Sequence, residues 1–362
     1  MSTIQSAPRF HPLRVKSVTR ETPDAVSVVF DVPPELASDY KFVAGQYLTL
    51  RKTMDGEEIR RSYSICAAPS DQELRVAVKQ LEDGKFSTWI NQTLQAGDVL
   101  EVMTPTGRFG LAHVPGDGRH HVAFAAGSGI TPVISILKDV LAQEPASDVT
   151  LFYGNRTSDS ILFKTALEDL KDRYMSRFSM YHVLSREQQD VAALNGYIDA
   201  EKMQTWLRDV VPVEKIDHAF VCGPEAMLET VETALQDAGV PAERIHTERF
   251  VSAQGGRPQP KKVIDEAAPP AHIATLIVDG KKRDVPVAKD EAVLDAALRA
   301  GMDLPYACKG GMCSTCRAKV LEGEVEMSLN YALEPWELEA GFVLTCQSHI
   351  KTPRVMIDYD QV

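Results

Sequence analysis

The chain reads as a multidomain α/β and β protein: a six-stranded antiparallel barrel, a parallel α/β domain and a C-terminal β-grasp domain. Three observations predict this. Up to residue 112, short runs of alternating apolar and polar residues recur between turn signals. Over residues 113–251, strand-like runs alternate with helical stretches, the pattern of a parallel sheet with helices on its faces. Over residues 272–362, two strand-like runs and a helix lead into a cysteine-bearing loop. A linker at 252–271, with Gly255-Gly256 and four prolines (Pro258, Pro260, Pro269, Pro270), precedes that last part.

The barrel strands are expected at Leu13–Val18, Ala25–Val32, Gln46–Arg51, Ile59–Ile65, Leu74–Lys79 and Val99–Met103. Asp55-Gly56 and Gly97-Asp98 supply turns between them. In the second part the expected strands are His121–Ala126, Val149–Tyr153, Phe178–Leu184 and His218–Val221. The pair His120-His121 reads as a strand start, not a metal site. In the third part, strands Ala274–Val278 and Arg283–Val287 precede a helix at Asp290–Ala300, with Asp290 as N-cap and Gly301 closing it.

The 362 residues, 44% of them hydrophobic, are enough for two or three packed cores. A net charge of −12 argues against nucleic acid and against an anionic membrane surface as partners. The start, MSTIQSAPRF, has no apolar signal core, and no run approaches the roughly 18 apolar residues of a membrane span. Six cysteines without a secretory context fit a reducing cytoplasm.

Four of those cysteines fall as Cys308-x4-Cys313-x2-Cys316-x29-Cys346. This is the spacing of plant-type [2Fe-2S] ferredoxins. Four thiolates must converge on two irons, so three come from one tight loop and the fourth from a remote element. Gly310 and Gly311 allow positive-φ geometry that turns backbone N–H groups toward negatively charged sulfurs. A zinc site would pair two short Cys-x2-Cys or Cys-x2-His units, and only one is present. Lys309, Arg317 and Lys319 ring the loop, Glu322, Glu324, Glu326, Glu334, Glu337 and Glu339 form an acidic flank, and this mixed surface is expected to dock an acceptor.

Further motifs lie upstream. Arg61-Ser62-Tyr63-Ser64 sits at a strand end, where an Arg can pair with a pyrophosphate and an aromatic ring can pack on a flavin. Gly84-Lys85-Phe86-Ser87 leads into a helix at Ser87–Leu94, a second phosphate cradle at a helix N-terminus. Gly127-x-Gly129-x-x-Pro132 follows a strand and opens a helix, the context a dinucleotide loop requires. Cys222-Gly223-Pro224-Glu225 places a thiol at the carboxyl end of the sheet, where ligands of open α/β sheets bind. Cys66 has no such context and reads as a small core residue.

Taken together and in this order, RSYS, GxxS, GSGITP, CGPE and Glu248-Arg249-Phe250 resemble the ferredoxin–NADP reductase superfamily. The C-terminal ferredoxin segment is similar to that of three-part oxygenase reductases. The run Leu304–Gly311 and the later Glu334-Pro335, with Tyr153–Thr157 and Glu248–Phe250, resemble the reductase-subunit family of phenylacetyl-CoA epoxidases nearly end to end. The resemblance implies an FAD-binding barrel, an NADP-binding α/β domain and a plant-type [2Fe-2S] domain. It implies that Arg61, Ser62, Tyr63, Ser64, Val78, Lys79, Gly84, Lys85, Phe86 and Ser87 hold FAD. It implies that Gly127, Thr131, Pro132, Cys222, Gly223 and Pro224 hold the nicotinamide nucleotide. Ser64, Cys222 and Phe250 would then lie at the hydride-transfer point, and Cys308, Cys313, Cys316 and Cys346 would ligate the cluster.

Asn155-Arg156 and Ser185-Arg186 follow the second and third parallel strands, where an adenosine ribose would sit. Two guanidinium groups there suit a 2′-phosphate, so NADPH is the expected donor. The expected function is transfer of electrons from NADPH through FAD and the cluster to an oxygenase component, a di-iron epoxidase complex of aerobic phenylacetate degradation. A reductase of the same architecture serving a Rieske-type hydroxylase, for instance of steroids, is the alternative. A redox-sensing module without enzymatic activity would leave the hydride-transfer motifs unexplained.

Overall fold

The computed structural model describes residues 8–111, 118–250 and 270–361. The expected boundary at 112/113 and most of the linker 252–271 lie outside the described residues. Six strands form the first sheet: β1 (Phe10–Thr22), β2 (Ala25–Asp31), β3 (Tyr47–Met54), β4 (Glu57–Ser64), β5 (Leu74–Lys79) and β6 (Val99–Met103). Their order is β4-β3-β6-β1-β2-β5. An antiparallel bridge from Ile65 to Val76, with Cys66 N–H donating to the Arg75 carbonyl at 2.9 Å, joins the first strand of that order to the last. The sheet is thereby closed, which leaves no edge. Alternation sets its interior: Leu13 and Val15 are buried while Arg14 and Lys16 face water.

Helix α1 (Lys85–Gln92) starts two residues before the expected Ser87, because Gly84 takes the cap position. Asn91 ties it to β5 by donating to the carbonyls of Val78 at 3.0 Å and Ser87 at 2.9 Å.

The second sheet is wholly parallel. Strands β7 (His120–Ala126), β8 (Asp148–Asn155), β9 (Phe178–Leu184), β10 (His218–Gly223) and β11 (Ile245–Arg249) run in the order β11-β10-β7-β8-β9. Helices α2 (Ile130–Gln143), α3 (Lys164–Arg173), α4 (Ala200–Asp209) and α5 (Glu225–Asp237) cover its faces. One face packs Ala123, Ala125, Leu151 and Phe220 on α2 and α3. The other packs Val122, Phe124, Phe152 and Val221 on α4 and α5. The sequence pattern does not announce β11, since His246, Thr247, Glu248 and Arg249 carry no apolar alternation. It forms because β10 presents an open row of N–H and C=O groups that must be paired.

The third sheet has the order β13-β12-β18-β14-β16. It is made from β12 (His272–Val278), β13 (Lys281–Val287), β14 (Arg317–Glu322), β16 (Phe342–Leu344) and β18 (Arg354–Asp358). A small ribbon pairs β15 (Val325–Met327) with β17 (Ser348–Ile350). Helix α6 (Val293–Arg299) packs Val293, Leu294, Ala296 and Ala297 into this core, and a short helix α7 (Pro335–Glu339) precedes β16. Asp290 does not cap α6. It takes a left-handed turn conformation (φ 60°), and the cap position falls to Ala292, whose side chain makes no bond. The other end is as expected: Gly301 N–H reaches the Leu298 carbonyl and Met302 N–H reaches Ala297, a Schellman closure with Gly301 at φ +73°.

By compactness the chain divides into two units. One gathers described residues 8–11, 49–62 and 270–361, so the outer part of the β3–β4 hairpin belongs with the C-terminal module. The other gathers 12–48, 63–111 and 118–250. Inside this second unit, Ala44, Cys66, Ala77 and Phe109 share one core with Ile130, Leu137 and Phe220 of the parallel domain. No helix among the described residues is long and apolar enough to cross a membrane.

At the amino ends of the parallel strands, buried polar groups form a hub. Glu144 lies 3.1 Å from His121 Nε2, accepts from Ser147 at 2.8 Å and pairs with Arg119. His121 stacks on His218 with ring centres 5.7 Å apart, and His218 Nδ1 lies 3.1 Å from His246 Nε2. Burial holds all three imidazoles below the ordinary 6.5, His218 at about 4. Below 6.5 the unfolded chain therefore binds protons that the folded chain resists, and stability present above that pH is lost as pH falls toward about 4. The urea midpoint should drop between about pH 7 and about pH 5, and His218→Gln should flatten that slope. A midpoint independent of pH in this range, in both proteins, would contradict the assignment.

Candidate functional site

At the end of β4 the strand alternation turns Arg61 outward into solvent and buries Ser64. Arg61 is steadied by a 2.7 Å bond from its guanidinium to the Arg60 carbonyl. Ser62 Oγ lies 3.2 Å from Thr49 Oγ on the neighbouring strand. The ring of Tyr63 lies nearly parallel to that of Phe86 at the start of α1, centres 6.3 Å apart. The strand-end motif and the glycine loop are thus brought side by side. Ser87 uses its hydroxyl inside that loop, accepting from Leu81 N–H at 3.1 Å and donating to the Gly84 carbonyl at 3.0 Å. What the loop offers an anion is the N-terminus of α1, with Lys85 beside it. Val78 and Lys79 at the end of β5 border the same helix through Asn91.

The second half of the site lies where the strand order of the parallel sheet reverses, between β7 and β10. A Cβ on Gly129 would come within 2.0 Å of the Cys222 carbonyl oxygen, so the two loops touch backbone to backbone. Gly127 differs: its φ is +52° and a Cβ there would meet nothing within 4 Å, leaving open space over the loop for a ligand. From below, Tyr153 donates to the Gly127 carbonyl at 2.9 Å, and Thr131 donates to Ser128 at 3.0 Å. Pro132 sits in the first turn of α2, and Pro224 takes the cap position of α5.

Asn155 is buried at the end of β8, where its side chain interacts with the Tyr153 hydroxyl. Next to it, Arg156 and Arg186 are exposed, and Arg186 N–H donates to the Arg156 carbonyl at 2.8 Å. Ser185 N–H donates to the Asn155 carbonyl at 3.0 Å, so the loops after β8 and β9 are held together.

Burial pushes the Cys222 thiol well up, with Glu248 adding to the effect. The group is therefore an uncharged thiol at neutral pH, and not a nucleophile. Its neighbour in β11 is Glu248, by strand register, and burial pushes that carboxyl up to about 8. Sequence reasoning passes over Glu248 as part of a motif, because only the parallel pairing of β10 with β11 sets it beside Cys222. Phe250, just past β11, packs partly buried against the core shared by barrel and parallel sheet. Arg249 bonds both Glu225 at 3.0 Å and Glu232 at 2.8 Å on α5, which pins the strand end that carries Phe250.

The four C-terminal thiols lie near enough to affect one another's ionisation across the loop, Cys313 acting on Cys316 and Cys308 on Cys346. They stand as two electrostatically coupled pairs, Cys308 with Cys313 and Cys316 with Cys346. In each pair that interaction drives one thiol down (Cys308, Cys346) and its partner up (Cys313, Cys316). One pair per iron is the arrangement a two-iron core requires. Donors already face the sulfurs: Gly310 N–H at 3.3 Å from Cys308, the Thr315 hydroxyl at 3.2 Å from Cys313, and Gln347 at 3.6 Å from Cys346. The positive φ expected of both glycines occurs at Gly311 (φ 76°), but Gly310 does not adopt it; Lys309 (φ 51°) and Ser314 (φ 45°) do. Gly311 is required for a second reason, since a Cβ there would lie 2.9 Å from the Leu329 carbonyl.

The acidic flank is not a uniform docking face. Glu337 is fully buried, pairs with Arg317 at 2.6 Å and caps the Glu334 N–H at 3.1 Å. Arg317 lies over the Phe342 ring, and Lys309 pairs with Asp295 at 2.8 Å. Neutralising Glu337 would remove the anionic partner of that largely buried guanidinium, so its role is in the fold.

Three family models match in order: an oxidoreductase FAD-binding domain over residues 12–110, an oxidoreductase NAD-binding domain over 124–233 and a 2Fe-2S iron-sulfur cluster binding domain over 276–351. The chain is 46% identical to one of the subunits of the 1,2-phenylacetyl-CoA epoxidase of Escherichia coli (strain K12), covering 97% of this chain and 98% of that one. It belongs to the three-part iron–sulfur flavoprotein reductases of the ferredoxin–NADP reductase superfamily. Another relative, 36% identical with 96% of each chain covered, is the ferredoxin reductase component of a 3-ketosteroid-9-alpha-monooxygenase from Rhodococcus rhodochrous.

Among solved structures, phthalate dioxygenase reductase shares the fold with a TM-score of 0.58 and 22% identity, over 96% of this chain and 98% of that one. An intact type IV self-sufficient cytochrome P450 monooxygenase gives a TM-score of 0.68 at 24% identity over 96% of this chain. Of that longer chain, 41% is spanned. This reductase is thus an NAD(P)H-dependent flavin and iron–sulfur oxidoreductase that works as an electron-transfer component for an oxygenase.

A nicotinamide gives up a hydride, two electrons at once, whereas a [2Fe-2S] centre takes one. Bound FAD supplies the conversion, accepting a pair and releasing single electrons. The chain itself contributes orientation: two glycine loops that touch at the sheet switch point, an uncharged Cys222 thiol beside them, and N–H and O–H groups facing the cysteine sulfurs. Replacing Cys346 by Ser should lower bound iron from about two per chain and end electron delivery to an oxygenase. NADPH-to-ferricyanide activity should persist. Equal loss of both activities, with flavin content unchanged, would contradict separate flavin and cluster stations.

Proposed function

We propose that this reductase takes hydride from NADPH and delivers single electrons to a di-iron epoxidase that acts on phenylacetyl-CoA, in the cytoplasm, during aerobic phenylacetate degradation. The observation that carries the reading is the 46% identity, over 97% of the chain, to a component of a 1,2-phenylacetyl-CoA epoxidase. Arg61, Ser62, Tyr63, Ser64, Val78, Lys79 and the Gly84–Ser87 loop hold FAD. Gly127, Thr131, Pro132, Cys222, Gly223 and Pro224 hold the nicotinamide end, with Ser64, Cys222 and Phe250 at the hydride-transfer point. Cys308, Cys313, Cys316 and Cys346 hold the cluster. The open space above Gly127, at the reversal of strand order, supports this division.

One observation favours a second reading: the 36% identity to a 3-ketosteroid-9-alpha-monooxygenase reductase component over nearly the whole chain. Reconstitution separates the two. Phenylacetyl-CoA-dependent oxygen uptake with NADPH is expected when the chain is mixed with the oxygenase part of the epoxidase. Coupling to a steroid hydroxylase oxygenase, with none to the epoxidase, would transfer the assignment.

For the donor, the exposed and backbone-linked pair Arg156 and Arg186 supports a 2′-phosphate site. Arg186→Ala should raise the KM for NADPH selectively, by roughly tenfold or more, the equivalent of about 1.5–3 kcal/mol of charged hydrogen bonding. The KM for NADH should change little. Equal effects on both nucleotides would place the arginines outside the nucleotide site.

A further inference from the structure

Two consecutive arginines in β4 have opposite fates. Arg61 points into solvent, whereas Arg60, one residue earlier and therefore on the other face, has a side chain only 4% exposed. A buried guanidinium is costly unless its charge and its donors are met. Here the partners come from two distant parts of the chain. Within the hairpin, Nε donates to Glu58 at 2.8 Å. From the C-terminal module, Nη2 donates to Asp303 at 3.0 Å and Nη1 to the Leu304 carbonyl at 3.2 Å. The flat faces are covered as well, by Tyr306 at 4.0 Å from the ring centre and by Phe10 at 4.8 Å. Arg51 supports the same joint from β3: it lies over Phe10 at 4.0 Å and 3.6 Å from both Glu58 and Asp303.

The location gives this joint a consequence. On one side, Arg60 runs straight into Arg61–Ser64. On the other, Asp303–Tyr306 runs straight into Cys308, and Lys309 covers the Tyr306 ring at 4.9 Å. Neither the barrel nor the β-grasp sheet needs these bonds to close its own hydrogen-bond ladder. An apolar patch would accept several dockings of hairpin on loop, whereas a planar fork held by two acids, a carbonyl and two rings accepts one.

The geometry points to Arg60 as a positioning residue for the electron step between flavin and cluster: it fixes the segment leading into Cys308 against the strand that carries Arg61–Ser64. In that step one electron leaves the reduced flavin and one ferric iron becomes ferrous. The second electron of the hydride pair follows by the same route once the first has left for the acceptor.

The test uses the full-length holoprotein carrying Arg60→Ala, Arg60→Lys or Asp303→Asn. After rapid mixing with NADPH, flavin bleaching should keep its wild-type rate. Reduction of the cluster, followed by its visible and electron-spin-resonance signals, should slow about tenfold or more, because small misplacements of reacting partners have effects of that size. Hydrogen exchange gives a readout independent of turnover: protection should fall in both 57–62 and 303–309, with iron and flavin content unchanged. Arg60→Lys, which keeps the charge but loses the fork, should fall between wild type and Arg60→Ala. Wild-type cluster reduction in Arg60→Lys and Asp303→Asn would overturn the proposal and leave Arg60 a stability role only, even where Arg60→Ala fails to retain its cofactors.

Discussion

The carboxyl end of the parallel sheet depends on one backbone contact, that between Gly129 and the Cys222 carbonyl. Any side chain at residue 129 would enter the carbonyl oxygen, so only glycine lets the loop after β7 lie on the loop after β10. That contact places both loops at the reversal of strand order. It also leaves Gly127 facing open space, and holds the Cys222 thiol at the same edge. The remainder of the domain serves this geometry. Tyr153 supports the loop from below, and α2 and α5 leave the sheet with their N-termini beside it.

Charge burial is the second theme, and it recurs wherever two elements must meet in one way only. Glu144 gathers Arg119, His121 and Ser147 at the amino end of the parallel sheet. Glu337 of α7 holds Arg317, the residue after Cys316. Arg60 joins the β3–β4 hairpin to the segment before Cys308. Each such pair stabilises little relative to an apolar substitute, but removal of one partner leaves an uncompensated charge. They act as locators, set at the amino end of the parallel sheet, beside the cysteine loop and on β4.

Several expectations hold because they rest on covalent spacing or strict periodicity. Strands Leu74–Lys79, Val99–Met103 and Phe178–Leu184 match to the residue, since each is a short run rich in apolar, strand-favouring residues. Others fail for identifiable reasons. The start of α6 lies later than expected because Asp290, a good cap by type, is used in a left-handed turn instead. Strand β11 is invisible in the sequence because it is recruited by the open edge of β10 and not by its own polarity pattern.

By itself the sequence determined the fold class, the two glycine loops and the four thiols, because each is encoded in local order: alternation, a glycine where a Cβ cannot fit, a fixed cysteine spacing. Tertiary structure alone decided which of two adjacent arginines is buried, that Glu248 stands beside Cys222, and that Glu337 belongs to the core and not to an acidic surface. The physical reason is the same in all three. The ionisation and role of a polar side chain depend on which face of its element a distant segment covers, and that segment is not written in the neighbouring residues.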